Sequence, residues 1–112
     1  MSARLETRLW VAQRASAAVL AVLVAVHLVT IVYAVRGGLS AAEILARLDG
    51  HAGWFLFYAA FSLAAAAHGA IGLRVVAQEW LGWRGRSLDV AAVVVALLLA
   101  ALGLRATWAL TV

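Results

Sequence analysis

Residues 9–35, 54–77 and 88–112 form three long apolar runs, and each exceeds the roughly 20 helical residues needed to cross a hydrocarbon core about 30 Å thick. Lipid offers no partner to a backbone N–H or C=O, so each run has to close its hydrogen bonds internally as a helix. The chain is therefore expected to be an all-α membrane protein with three transmembrane helices, forming one membrane domain over residues 1–112. The longest polar connection, residues 36–53, has room only for a short surface helix near residues 40–48. Composition agrees, since 67% of the residues are hydrophobic, 12% are charged and none is proline, far outside the range of soluble domains. Too little polar chain remains for an aqueous catalytic domain, so any soluble catalytic site belongs to another chain. The apolar segment that begins at residue 9 is about twice the length of a signal-peptide core and is read as a mature helix.

The net charge of +4 does not point to nucleic acid, because all nine basic residues are arginine and most stand at the ends of the apolar runs. Arg4, Arg8, Arg14, Arg74, Arg84 and Arg86 fall on one side, against Arg36, Arg47 and Arg105 on the other. By the excess of positive charge on cytoplasmic segments, the N-terminus is expected to be cytoplasmic. Trp10, Tyr33, Trp54, Trp80, Trp83 and Trp108 mark the same span ends, where amphipathic rings settle among headgroups. With no cysteine, the chain can hold neither a disulfide nor a thiolate-bound iron–sulfur cluster of its own.

Polar groups inside the spans are few and costly, so each needs a reason. On the first span Gln13, Ser16, Leu20 and His27 lie within about 40° of one line at 100° per residue, with Thr30 beside them. On the second span His68, Gly72 and Glu79 share a line, flanked by the small residues Ala64, Ala65 and Gly69, which allow a flat group or another helix to approach closely. The third span carries polar residues only near its ends and is expected to be peripheral and lipid-facing. A lone intramembrane histidine is often just a hydrogen-bonded packing residue, but two imidazoles in lipid also suit axial ligation of haem iron, whose porphyrin is itself large and apolar. From the cytoplasmic ends, His27 lies roughly 27 Å beyond residue 9 and His68 about 14 Å before residue 77. The two rings thus sit at different depths and are not expected to grip one iron. The third histidine, His51, belongs to the outer loop or span end, too far out for His68. Partner ligands must come from another subunit.

Two segments carry a resemblance to a known family. Residues Gln13, Arg14, Ala15, Ser16 and Ala17 resemble the Arg-x-Ser/Thr-Gly/Ala segment that opens the first helix of the membrane anchor subunits of succinate dehydrogenase and fumarate reductase. His68, Gly72 and Arg74, followed by Glu79, resemble that family's His-x-x-x-Gly-x-Arg…Asp segment, and three spans in a chain of this length match the type with two anchor subunits. The resemblance implies a haem b- and quinone-binding anchor that passes electrons between an iron–sulfur subunit and membrane quinone in tricarboxylic acid cycle or fumarate respiration. It places His68 as ligand of a proximal haem b and His27 of a distal one, each haem shared with a second membrane anchor subunit. Arg14 and Ser16 would stand near the quinone and a haem propionate, with Gly72, Arg74, Glu79 and Trp80 completing the cofactor-binding set. The implied partners are a flavoprotein subunit, an iron–sulfur subunit and the second anchor, and the implied location is the bacterial cytoplasmic (inner) membrane.

The sequence departs from the family pattern in places. Gln13 and Ala17 stand where the larger anchor has His and Gly, Val75 where it often has His, and Glu79 and Trp80 where the smaller anchor has Asp and Tyr. An indole donates a hydrogen bond but cannot act as a phenolic acid, which bears on quinone protonation. Two other readings remain open to the sequence. A homodimeric membrane cytochrome b would set equal-depth histidines opposite one another. A small proton-conducting or transport protein would use His27 and His68 as a relay, although none of the five acidic residues lies mid-membrane.

Overall fold

The structure is a computed structural model and describes residues 2–112. Its elements are α1 (Ala3–Gly37), α2 (Ala41–Leu48), α3 (Ala52–Leu81) and α4 (Arg86–Thr111). The three long helices are each apolar and long enough to cross a membrane, and the bundle measures 49 × 24 × 22 Å. Helical structure continues past the apolar runs: α1 begins at Ala3 rather than residue 9, and α3 covers Ala52–Leu81 rather than residues 54–77. The reason lies in capping. Ser2 accepts from the Leu5 amide at 3.2 Å at the start of α1, and Gly82, at φ 66°, ends α3 in the left-handed conformation that favours glycine.

Helix α3 is the centre of the bundle, with α4 packed along one side and α1 along another. The third span is therefore not merely peripheral, since the α3–α4 interface is the most extensive in the molecule. Small residues explain the close fit. Ala66 and Ala70 of α3 are buried, and the Cα of Gly103 lies so near Ser62 that an added Cβ would stand 2.7 Å from the Ser62 Cβ and Oγ. At the same level Ser62 donates to Thr107 Oγ1 at 3.4 Å, because the Thr107 hydroxyl already donates to the Gly103 carbonyl at 2.9 Å. Nearer the C-terminal end of α4 the Gly50 amide donates to the Thr111 carbonyl at 2.9 Å, holding the loop before α3 against the last turn of α4.

The α1–α3 contact is looser, and α1 has no fully buried residue. Its half-buried side is nevertheless regular: Leu9, Gln13, Ser16, Leu20, Leu23, His27, Thr30 and Ala34 alternate steps of four and three. That seven-residue repeat is the spacing of left-handed helix pairs that interlock side chains along a seam. The polar stripe seen in the sequence is thus the seam itself. Just beyond the C-terminal end of α1, the Ser40 hydroxyl accepts from the Glu43 amide and the Glu43 carboxylate accepts from the Ser40 amide, both at 3.2 Å, which starts α2 with a reciprocal cap. Arg47 then donates to the Gly38 carbonyl at 2.7 Å and lies over the Tyr33 ring, folding α2 back across the end of α1.

The two glycines of the α3–α4 face should respond differently to a methyl group. Gly103→Ala is expected to lower stability by about 1–3 kcal/mol through overpacking against Ser62. Gly69→Ala, whose Cβ would meet Leu99 at an ordinary 3.5 Å, should be neutral or stabilising by up to about 1 kcal/mol, as expected for glycine replaced inside a helix. Thermal unfolding in detergent micelles, followed by tryptophan fluorescence, measures both.

Candidate functional site

Two imidazoles project into the α1–α3 seam, one from each helix. His68 of α3 meets Ser16 of α1, with Ser16 Oγ 3.3 Å from His68 Nδ1. His27 of α1 meets α3 in return, with its Nδ1 3.4 Å from the Tyr58 hydroxyl and its ring edge-on to Tyr58 and Phe61 at centroid distances of 5.8 and 5.4 Å. Both histidines are half-buried. His27 is eleven residues beyond Ser16 on α1, and Tyr58 is ten residues before His68 on α3. At about 1.5 Å per residue, either helix separates the two levels by roughly 15–16 Å along the bundle. One iron cannot lie on both rings at that separation. Among the described residues no group of three or more His, Asp or Glu side chains converges in a way that could hold a metal ion.

Around His68 the small residues are taken up mainly by helix contacts. Gly72, one turn along α3, faces the Gln13 side chain, whose Nε2 lies 3.4 Å from where a Cβ would be, and Gly69 faces Leu99 of α4. Gln13 Oε1 is buried and has no hydrogen-bond partner among the described residues, which leaves an acceptor in the seam about one turn from Ser16. Such an atom is unfavourable unless a donor reaches it.

Farther toward the α1 N-terminus, Arg74 is buried in the protein and joins all three long helices. Its Nε donates to Asp89 Oδ1 of α4 at 3.0 Å and its Nη2 to Glu6 Oε1 of α1 at 3.1 Å. Both carboxylates are partly exposed, and they also line a pocket of about 490 Å³ with Gln78, Arg84 and Arg86. The other residues singled out in the sequence stay outside these clusters. Arg14 is exposed, with its guanidinium 5.2 Å above the Trp10 ring, and Glu79 and Trp80 lie on the open surface of α3, Trp80 at 82% exposure.

The opposite end of the seam opens into a cavity of about 610 Å³, within the range of small-molecule sites and mostly apolar. Ile44 and Arg47 of α2, with Leu39 from the turn before it, roof the cavity, while His27, Tyr58 and His51 line its walls. The sequence reading missed Glu6, Asp89 and Tyr58 as partners of its chosen residues, and it did not join His51 to the surroundings of His27. Tyr58 had a readable signal, since its offset from His68 nearly equals that of His27 from Ser16. Glu6 and Asp89 had a weaker one: they are carboxylates at the same membrane boundary as Arg74.

The two Arg74 contacts should be coupled. Glu6→Gln and Asp89→Asn each remove one charge from around a buried guanidinium and are expected to cost about 1–3 kcal/mol. The double variant should lose more than the sum, because the groups share one partner. A double-mutant cycle on thermal unfolding of the protein in micelles reads the coupling.

Residues 1–104 match the family described as succinate dehydrogenase/fumarate reductase transmembrane subunit. No curated protein and no solved structure gives a significant match. A match over nearly the whole chain, through all three spans and both seam histidines, shows that the protein belongs to the succinate dehydrogenase/fumarate reductase transmembrane subunit family.

Proposed function

We propose that this subunit binds haem b and quinone within the membrane and passes electrons between an iron–sulfur subunit and the quinone pool. The observation that carries the reading is the pair of half-buried seam histidines at separate levels, each held through Nδ1 by the other helix. His68 and His27 make no further hydrogen bonds among the described residues, so Nε2 of each is available as a donor to iron. When bound, haem b supplies a one-electron relay whose potential depends on its axial ligands and their hydrogen bonds. The chain's own residues fit that task. The seam holds each ring in a fixed direction, the apolar helices exclude water, and half-burial leaves the ring edges reachable from a neighbouring subunit.

On this reading His68 would hold a proximal haem and His27 a distal one, each together with a residue of a second membrane anchor subunit. The cavity beside His27 supports the distal assignment through its size and apolar walls. The charge asymmetry of the arginines supports a cytoplasmic N-terminus, which puts the Arg74 end next to the iron–sulfur and flavoprotein subunits at a bacterial cytoplasmic membrane. Quinone is assigned to the same end. Arg14 is exposed there with several N–H donors, near Ser16 and the unpartnered Gln13 Oε1 in the seam, while Glu79 and Trp80 flank the approach from α3. Gly72 and Arg74 shape this end through the Gln13 contact and the three-helix ion pairs.

The complex purified from membranes should show two b-type optical components. His68→Ala is expected to abolish one and His27→Ala the other, each leaving its companion in place. A purified complex that has no b-type absorbance yet still reduces quinone would refute the haem assignment.

A further inference from the structure

A hydroxyl in a membrane helix usually satisfies itself on its own backbone, and most of the helical hydroxyls here do so, whereas Ser62 bonds across to Thr107. Thr7, Ser16, Thr30, Thr107 and Thr111 each donate to a backbone carbonyl three or four residues earlier, at 2.7–3.0 Å. For Ser16 the acceptor is the Gln13 carbonyl at 3.0 Å, shorter than the 3.3 Å to His68 Nδ1. A hydroxyl has one proton. With that proton on the Gln13 carbonyl, Ser16 Oγ has only lone pairs to offer His68, so Nδ1 must carry the hydrogen and donate it. The neutral imidazole then has its free lone pair on Nε2. Tyr58 gives no such instruction to His27, because its hydroxyl makes no backbone hydrogen bond among the described residues and either partner can donate.

We infer that Ser16 is a positioning residue for His68: by accepting from Nδ1–H it locks the tautomer whose Nε2 can ligate iron, fixes the ring plane, and raises the basicity of the ligand nitrogen. The inference rests on the haem reading of His68 given above. It also gives the two histidines different settings within one chain, with His68 committed to one tautomer and His27 free to take either.

The hydroxyl can be separated from the side-chain shape by comparing Ser16→Thr with Ser16→Val, which differ by one methyl in place of one oxygen. Both are made in the assembled complex, next to His68→Ala, and each b component is followed by redox titration, by the orientation-sensitive electron paramagnetic resonance of the oxidised haem, and by haem content after growth under haem limitation. In Ser16→Val the component that His68→Ala removes should bind haem about 10-fold or more weakly, as seen for lost ligand-orienting partners. Its midpoint potential should rise, since a less basic ligand stabilises the oxidised iron less. Ser16→Thr should keep the wild-type values, and the other component should be unchanged in both variants. If Ser16→Val matches Ser16→Thr in potential, resonance and haem content, the Ser16 role is overturned while the haem reading stands. If His68→Ala itself retains both components, the ligand assignment falls, and the Ser16 role falls with it.

Discussion

One guanidinium brings the three spanning helices to a common point. Arg74 extends from the central helix to Glu6 on α1 and Asp89 on α4, at 3.1 and 3.0 Å. Helices α1 and α4 scarcely touch each other directly, so this shared cation is what relates them. A buried arginine near the edge of a bilayer is unfavourable without acceptors. Two carboxylates that are themselves partly open to water supply them at modest desolvation cost. The consequence reaches along the whole seam, because fixing Glu6 opposite Arg74 fixes the sliding register of α1 on α3. Ser16 then falls opposite His68, and His27 opposite Tyr58.

The two sides of α3 serve different ends. Toward α4 the contact is tight, built from Ala66, Ala70, Ser62 and Gly103, and it leaves no room for a cofactor. Toward α1 the contact is open enough that neither histidine is fully buried. The molecule thus combines a close-packed pair of helices with a looser seam in which both imidazoles are partly exposed. The cavity under α2 extends the same seam at one end, and toward the other the buried Gln13 Oε1 has no hydrogen-bond partner among the described residues.

Much of this was legible in the residues. The Gln13–Ser16–His27 line on the first span is the packed seam, and the His68–Gly72 line on the second is the surface it meets, because an interval of three or four residues fixes a face on any helix. Gly72 and Gly69 proved to receive Gln13 and Leu99, the packing use of small residues rather than an open slot. The reading failed where contact crosses between helices. The offset of Tyr58 from His68 hints at the level of His27, but which face of α3 turns toward α1 is written in neither helix alone. The apolar character of the third span suggested a lipid-facing helix, whereas its glycine and threonines form the closest interface of the bundle.

Sequence by itself determined that the chain crosses a membrane three times, which end carries the arginines, and which polar residues share a face. Hydropathy and helical periodicity are properties of one segment at a time, and in lipid they leave a helix almost no alternative. The tertiary structure decided which face meets which: that α3 is central, that Arg74 is shared by Glu6 and Asp89, and that Ser16 and Tyr58 are the partners of the two histidines. Those pairings depend on the rotation and sliding of helices against one another. In a bilayer these are set by close packing of small residues and by a few polar contacts between distant parts of the chain, since hydrophobicity draws every apolar face toward lipid as readily as toward protein.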